Sequence, residues 1–347
     1  MTLQLYNFVQ QDLESIFKIV NNEELSGLKN QTVCITGGSG FIGTWLCNMI
    51  QYLNEHYSFQ TKVFVIDRSF ENIQKQSPHL LNAKNFEFKR LDTRTLVDLP
   101  KEINYIIHAA GTPDTRGPID VITSISQGTE NLLRAAQRLS NLKMFLNLSS
   151  SLVYGSFFDT NKKIKENNFQ GPTANLYAIS KLYSEAICDA YRQEQRLPVT
   201  TLRPFSFVGP FQSLASPWVF NNFISDAING KSIKVLGDGS TTRSFLYASD
   251  AAFWILKTLI TADSGTKYNI GSPEEITLKD LAAKVHLQLG NNKETIYNAR
   301  LGATDRRSYM VPDTEEIQKN IKLQITMPLN ESIKRTIEWY VLSKNFV

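Results

Sequence analysis

From Gln31 onward, short apolar runs alternate with longer amphipathic stretches. The runs are Thr32–Thr36, Lys62–Asp67, Phe86–Phe88, Tyr105–Ala109 and Phe145–Ser149. Their centres are apolar on consecutive positions, as expected of strands covered on both faces. Between them, residues 42–53 and 122–139 carry a helical period. A third helical stretch, 174–195, leads to a sixth run, Val199–Arg203. Strand–helix alternation predicts an α/β fold with a Rossmann-type, doubly wound parallel sheet and right-handed crossovers. Before about Lys29, Val9, Leu13, Ile16, Phe17 and Val20 recur at three- and four-residue steps, which predicts an extra amphipathic helix. It reads as a packing appendage in preference to a dimer contact.

After Pro204 the texture changes. Elements shorten, Pro and Gly become frequent, and polar loops such as 237–243 appear. The expected organisation is an N-terminal helical extension (1–29), a Rossmann domain (30–204, with 244–262 returning to it) and a smaller mixed α/β substrate lobe (205–243 and 263–347).

With 347 residues, 42% hydrophobic and 20% charged, the chain is a globular protein with a large core. The net charge is +4 and the basic residues are scattered, so no nucleic-acid stripe is expected. Cys34, Cys47 and Cys188 form no Cys-x-x-Cys pair and sit in apolar surroundings, which predicts buried thiols, with neither a disulfide framework nor a metal site. The start of the chain lacks a basic, apolar leader and no run is long enough to span a bilayer, so the expected location is the cytoplasm, with no membrane partner.

The chemistry begins at Thr36-Gly37-Gly38-Ser39-Gly40-Phe41-Ile42-Gly43. Gly37, Gly40 and Gly43 follow the first run and open a helix. They allow a tight turn and close approach of a pyrophosphate to the backbone, and the helix N-terminus faces the anion. Asp67 ends the second run 24 residues past Gly43, near the spacing of an acid that accepts from adenosine ribose hydroxyls. Such an aspartate favours NAD over NADP, and Arg68 beside it softens the preference. On its own it can equally cap the next helix. Asp92 and Thr93 follow the third run, within reach of an adenine. Ala109, Ala110 and Gly111 leave room beside the fourth. His108 is either a base or, more in keeping with an apolar strand, a packed and hydrogen-bonded histidine.

Downstream, Tyr177 and Lys181 lie four residues apart, on one helix face. An ammonium near a phenol lowers the phenol pKa and makes tyrosine a usable base. Ser149-Ser150-Ser151 ends the fifth run, facing the crevice beyond the strand ends, where a hydroxyl can hold a substrate oxygen.

These motifs, with Arg203-Pro-Phe-Ser-Phe-Val-Gly-Pro210 and Gly237-Asp-Gly-Ser-Thr-Thr-Arg-Ser-Phe-Leu-Tyr-Ala-Ser-Asp250, resemble the NAD-dependent nucleotide-sugar epimerase/dehydratase family of extended short-chain dehydrogenases/reductases. The resemblance runs from about Gln31 to Tyr340. It implies that Tyr177 takes a proton from a sugar hydroxyl while hydride passes to NAD. Lys181 then lowers the tyrosine pKa and holds the nicotinamide ribose, and Ser151 bonds the same sugar oxygen. It places Gly37, Gly40, Phe41, Ile42, Gly43, Asp67, Arg68, Asp92, Thr93, Ala109, Ala110, Gly111, Ser149, Tyr177, Lys181 and Pro204 at the cofactor. Thr112, Ser151, Tyr177, Ser206, Arg243, Arg300 and Arg306 fall at the nucleotide sugar, with Arg243 on the diphosphate and Arg300 or Arg306 as a second phosphate contact. A homodimer is implied as well.

Dehydratases of the family carry an Asp-Glu or Asp-Lys pair after the catalytic hydroxyl, and decarboxylases often keep a glutamate there. Here Leu152 and Val153 follow Ser151. The expectation is therefore a 4-epimerase acting through a transient 4-keto sugar, for surface-polysaccharide or glycoconjugate precursors. The alternatives are a 4-keto reductase, an atypical 4,6-dehydratase and, more remotely, a non-enzymatic NAD sensor.

Overall fold

The computed structural model describes residues 3–111, 117–155, 162–168, 175–290, 293–298 and 309–344. Its centre is a seven-stranded, all-parallel sheet. The first six strands are β1 (Thr32–Thr36), β2 (Lys62–Asp67), β3 (Phe86–Arg90), β4 (Tyr105–His108), β5 (Met144–Leu148) and β6 (Val199–Pro204). After four short strands, β7 (Phe207–Val208), β8 (Lys234–Leu236), β9 (Thr242–Arg243) and β10 (Leu246–Tyr247), the chain adds β11 (Lys267–Ile270) beside β6. The order β11-β6-β5-β4-β1-β2-β3 reverses direction between β1 and β4. That switch point is where such sheets open a ligand crevice.

Helices α1 (Leu3–Phe17), α2 (Phe41–Tyr57), α3 (Glu71–Gln76), α4 (Pro118–Ala136), α5 (Leu176–Gln195), α6 (Val219–Ile228) and α7 (Ala248–Thr261) follow in chain order. Strand residues alternate between the two sides of the sheet. Val33, Ile35, Val63, Val65, Ile107 and Leu146 pack with the α2 and α7 side. Cys34, Phe64, Ile66, Ile106 and Phe145 pack under Leu132 and Leu133 of α4 and Cys188 of α5. Continuous apolar runs are thus the signature of a sheet buried on both faces. All three cysteines are buried and free, and burial pushes each thiol up.

The N-terminal helix is a packing element. Its Leu5, Phe8, Val9, Leu13 and Ile16 are buried. The remaining elements are β12 (Ile276–Thr277), β13 (Ile296–Asn298), β14 (Tyr309–Met310), α8 (Leu278–Leu289), α9 (Glu315–Ile321) and α10 (Leu329–Lys344). Asp12 of α1, buried, accepts from the Tyr247 hydroxyl and from Arg335 Nε of α10, each at 2.7 Å. Arg335 also lies 3.4 Å from the centre of the Phe8 ring.

One expectation is corrected. Residues 267–270 fall in the stretch assigned to the smaller lobe, yet they form the seventh strand of the main sheet. Lys267 and Asn269 break its apolar pattern. The buried Asn269 side chain is accommodated because it bonds Ile164 O at 2.7 Å.

Candidate active site

The glycine turn sits at the switch point. Gly37 has φ +72°, and a Cβ there would lie 2.8 Å from Ala110 N, so the turn backs directly onto the end of β4. A Cβ on Gly43 would lie 2.7 Å from Gly38 Cα and closer still to Gly37 O. Gly40 is the N-cap of α2. Phe41, Ile42 and Gly43 form its first turn, whose N–H groups have no intrahelical acceptor and face any anion placed there.

Beyond the strand ends lies a cleft of about 370 Å³. Gly37, Gly40, Asp67, Arg68, Asp92, Thr93, Ala109, Ala110 and Gly111 all line it, as do Ser39 and Ser124, which the sequence reading missed. Asp67 Oδ2 accepts from Ser39 N at 3.0 Å and Ser39 Oγ at 2.6 Å, and Oδ1 accepts from Arg68 N at 2.7 Å. A carboxylate offers about four acceptor sites, so capacity is left for a ribose diol. Asp92 is gripped by Arg94, with Nε at 3.0 Å and Nη2 at 2.6 Å from Oδ2. Burial alone would raise its carboxyl, but Arg94 more than offsets that and holds it below the ordinary range. A backbone cradle without side chains, a helix N-terminus and a strand-end carboxylate together fit a dinucleotide.

His108 is the packed histidine. Its Nδ1 lies 2.7 Å from Thr36 Oγ1 and its Nε2 3.0 Å from Thr129 Oγ1. Burial, with the Lys181 charge behind it, pushes its pKa down to about 3. Both ring nitrogens are occupied and the imidazole is neutral.

Asn175 caps α5, its side chain accepting from Ala178 N at 3.1 Å, and so fixes where Tyr177 begins the first turn. Lys181 lies one turn on, 3% exposed. Its Nζ donates to Leu148 O at 2.8 Å and stands 5.7 Å from the Tyr177 ring centre. A Cβ on Gly111 would lie 3.6 Å from that Nζ, so the ammonium borders the end of the cleft.

Of the three serines, Ser150 is the one whose hydroxyl hydrogen-bonds the Tyr177 phenol and so lowers its pKa. The cause is local geometry. Ser150 is the N-cap of a 3₁₀ turn, Ser151–Tyr154, and its Oγ accepts from Leu152 N at 3.2 Å. Ser151 begins that turn, and Ser149 points the other way, donating to Glu185. Three adjacent serines look alike in sequence, and only the turn separates them.

The expected pKa effect is corrected. Burial pushes the Tyr177 phenol up to about 12, with the Ser150 bond opposing. Burial likewise pushes the Lys181 ammonium down to about 8, against the upward pull of Glu185. The ammonium faces the ring and bonds a carbonyl, so desolvation outweighs its attraction for a phenolate.

Pro204 ends β6, and Ser206 O accepts from Leu246 N at 3.0 Å. Arg243 lies on the central strand of a separate three-stranded sheet, β12-β9-β14, where its Nη1 donates to Thr242 O at 2.8 Å. Thr112, Arg300 and Arg306 lie outside the described residues. Among the described residues, no cluster of three His, Cys, Asp or Glu side chains is placed to hold a metal, and no helix is long and apolar enough to cross a membrane.

A family model described as "NAD dependent epimerase/dehydratase family" matches residues 33–271. Among curated proteins, UDP-glucuronic acid decarboxylase 1 of Xenopus tropicalis is 27% identical over 324 residues, covering 91% of this chain and 73% of the relative. The dTDP-D-glucose 4,6-dehydratase of Bos taurus is 28% identical, over 89% of this chain and 88% of its own. Among solved structures, a UDP-glucuronic acid 4-epimerase of Bacillus cereus in complex with UDP-glucuronic acid and NAD superposes with a TM-score of 0.76 at 22% identity, covering 90% of this chain and all of that one. A Thermotoga maritima UDP-glucose 4-epimerase gives the same TM-score, identity and coverage. These structures share the fold.

Proposed function

The chain belongs to the NAD-dependent epimerase/dehydratase family, and within it we propose a nucleotide-sugar 4-epimerase working through a transient 4-keto sugar. The observation that carries this reading is the Tyr177–Ser150–Lys181 cluster and the lack of an acid beside its serine. The two positions after Ser150 are Ser151 and Leu152, and neither brings a carboxylate. Elimination of water or loss of a carboxylate is assisted by such a group. Oxidation, rotation of the keto sugar and return of hydride are not.

In this reading Ser150 holds the sugar hydroxyl against Tyr177, which accepts its proton and later returns it. Lys181 donates to the nicotinamide ribose and stabilises the phenolate. When bound, NAD supplies the hydride acceptor and a cationic ring, adding the positive charge that Lys181 alone does not bring to the phenol. Asp67 takes the adenosine ribose, and the first turn of α2 takes the pyrophosphate. Arg243 pairs with the substrate diphosphate, a role suited to a forked guanidinium.

The assembly we expect is a homodimer. The support is an outward stripe on α5, where Leu176, Ile179 and Tyr183 are 43%, 44% and 40% exposed at helical spacing. The proposed setting is cytoplasmic synthesis of glycoconjugate or surface-polysaccharide precursors.

The test is incubation with UDP-, dTDP-, GDP- and CDP-sugars and NMR identification of the product. A C4 epimer of unchanged mass, formed without net NADH consumption, is expected. Stoichiometric NADH consumption would make the protein a keto reductase, and a 4-keto-6-deoxy product or released carbon dioxide would overturn the epimerase reading. NAD binding with no turnover of any sugar would restore the sensor. Tyr177→Phe abolishes turnover and keeps the cofactor bound.

A further inference from the structure

Directly behind the reacting centre lies a second buried polar cluster. Tyr177, Lys181 and Glu185 follow one another at four-residue steps, so they share a face of α5. Glu185 is 3% exposed. Its Oε1 accepts from Ser149 Oγ at 2.5 Å and from Arg203 Nε at 2.9 Å. Its Oε2 accepts from Arg203 Nη2 at 2.7 Å and faces Lys267 Nζ at 3.6 Å. Burial alone would raise this carboxyl, but Arg203, with Ser149 and Lys267, holds it below its ordinary value, so it is a carboxylate.

Arg203 carries the connection further. Its Nη1 donates to the Tyr154 hydroxyl at 3.0 Å and to Glu166 O at 2.9 Å. Tyr154 donates to Asn269, whose backbone N–H donates to Glu166 Oε1 at 2.7 Å. The segment 162–168 is thereby tied to the ends of β6 and β11. It is tied equally to the stretch that follows β14, because Ile164 N donates to Val311 O at 2.9 Å and Asp313 N to Ile164 O at 2.8 Å. That stretch continues β14, which runs beside Arg243 on β9. Neither Glu185 nor Arg203 lines the cofactor cleft.

A buried ion pair is weak evidence for stability, since desolvation offsets the attraction. Its placement here suggests another role. We propose that the Glu185–Arg203 pair is a positioning unit. It holds the strand end Ser149–Ser150 against the Tyr177–Lys181 face of α5 and couples that face, through segment 162–168, to the strand that carries Arg243. The pair acts through these neighbours and performs no proton transfer itself. The coupling concerns the cofactor side of the site and goes beyond the choice of sugar.

The test is hydrogen exchange on the full chain with and without saturating NAD, for wild type, Glu185→Gln and the double variant Glu185→Gln/Arg203→Met. The double variant leaves neither partner charged and buried, so it folds even where the single change is costly. In wild type, NAD slows exchange at 37–43 by contact and at 162–168 and 309–313 by coupling. In the variants the slowing at 37–43 persists and NAD affinity stays within about threefold, less than 1 kcal/mol, while the slowing at 162–168 and 309–313 disappears. On any sugar that wild type turns over, kcat falls by about ten- to a hundredfold, the scale of a 1 Å misplacement, with KM little changed. Three results would each overturn the proposal: no remote slowing in wild type, wild-type remote slowing in the double variant, or equal loss at all segments. The exchange readout needs no sugar, so failure of the epimerase reading leaves it intact.

Discussion

Gly43→Ala is the sharpest probe of the cofactor cradle. The added Cβ would sit 2.7 Å from Gly38 Cα and 2.9 Å from Gly38 C, with Gly37 O nearer still. That is roughly 0.7 Å inside ordinary contact with backbone atoms that cannot rotate away. Gly37 O is also pinned, because it accepts from Gly40 N at 3.0 Å. The turn must therefore shift as a unit, and overpacking of this kind costs about 1–3 kcal/mol. If the displacement falls on the diphosphate donors, NAD affinity drops by about ten- to a hundredfold, at 1.4 kcal/mol per tenfold. Gly40→Ala is the matched control. Its Cβ would meet only Gly37 O, at 3.2 Å, which a few tenths of an ångström relieve. Gly40 has φ −73°, so alanine strains nothing there. Its fold stability should therefore stay close to that of wild type, whatever the Cβ does to the bound pyrophosphate. Calorimetric titration of the three proteins with NAD, alongside thermal melts, measures both effects. Equal melting temperatures for Gly43→Ala and Gly40→Ala would refute the claim that the third glycine is required by backbone contact beneath the pyrophosphate.

The geometry sets three further outcomes. Ser150→Ala lowers kcat by about a hundredfold or more, whereas Ser151→Ala stays within about threefold, because Ser150 is the serine that hydrogen-bonds the Tyr177 phenol; steady-state kinetics of the two variants decide it. NAD affinity weakens as pH rises through about 8, because Lys181 then loses the charge with which it donates; below that pH the ammonium is present and affinity is flat, and Lys181→Met removes the dependence in the same titrations. Asp12→Ala leaves Arg335 and the buried Tyr247 hydroxyl without their shared carboxylate and destabilises the fold by about 3–5 kcal/mol in denaturant melts.

Much of the architecture is written plainly in the chain, and the reason is burial. β1, β2, β4 and β5 are covered on both faces, so they read as apolar runs bounded by turns. The N-terminal helix is equally plain, since its apolar face is the one that docks. β11 is hidden because two of its four residues, Lys267 and Asn269, are polar and find partners only across long sequence separations. The dinucleotide residues are legible because a pyrophosphate demands glycine and a ribose demands an acid at fixed distances. Ser150 is not, because a one-residue choice among three serines is made by a cap bond to Leu152. The pKa of Tyr177 is illegible for a similar reason. Spacing puts Lys181 on the correct face, but whether its charge or the loss of water dominates depends on how deep both groups lie.

The bond from Asp12 to Arg335 spans 323 positions of sequence. During synthesis α1 emerges well before α10, so although it can already pack on α2 and α7, Asp12 and the Phe8 ring wait for Arg335 and Trp339. At roughly 5–20 residues per second, that wait lasts about 15–60 seconds. The part of α1 that α10 covers is a candidate chaperone client throughout that interval, and swapping α1 between two nascent chains is the expected misassembly. Ribosome-stalled chains cut before and after residue 335 would differ in protease sensitivity at α1, which ties the closing of α1 to the emergence of α10.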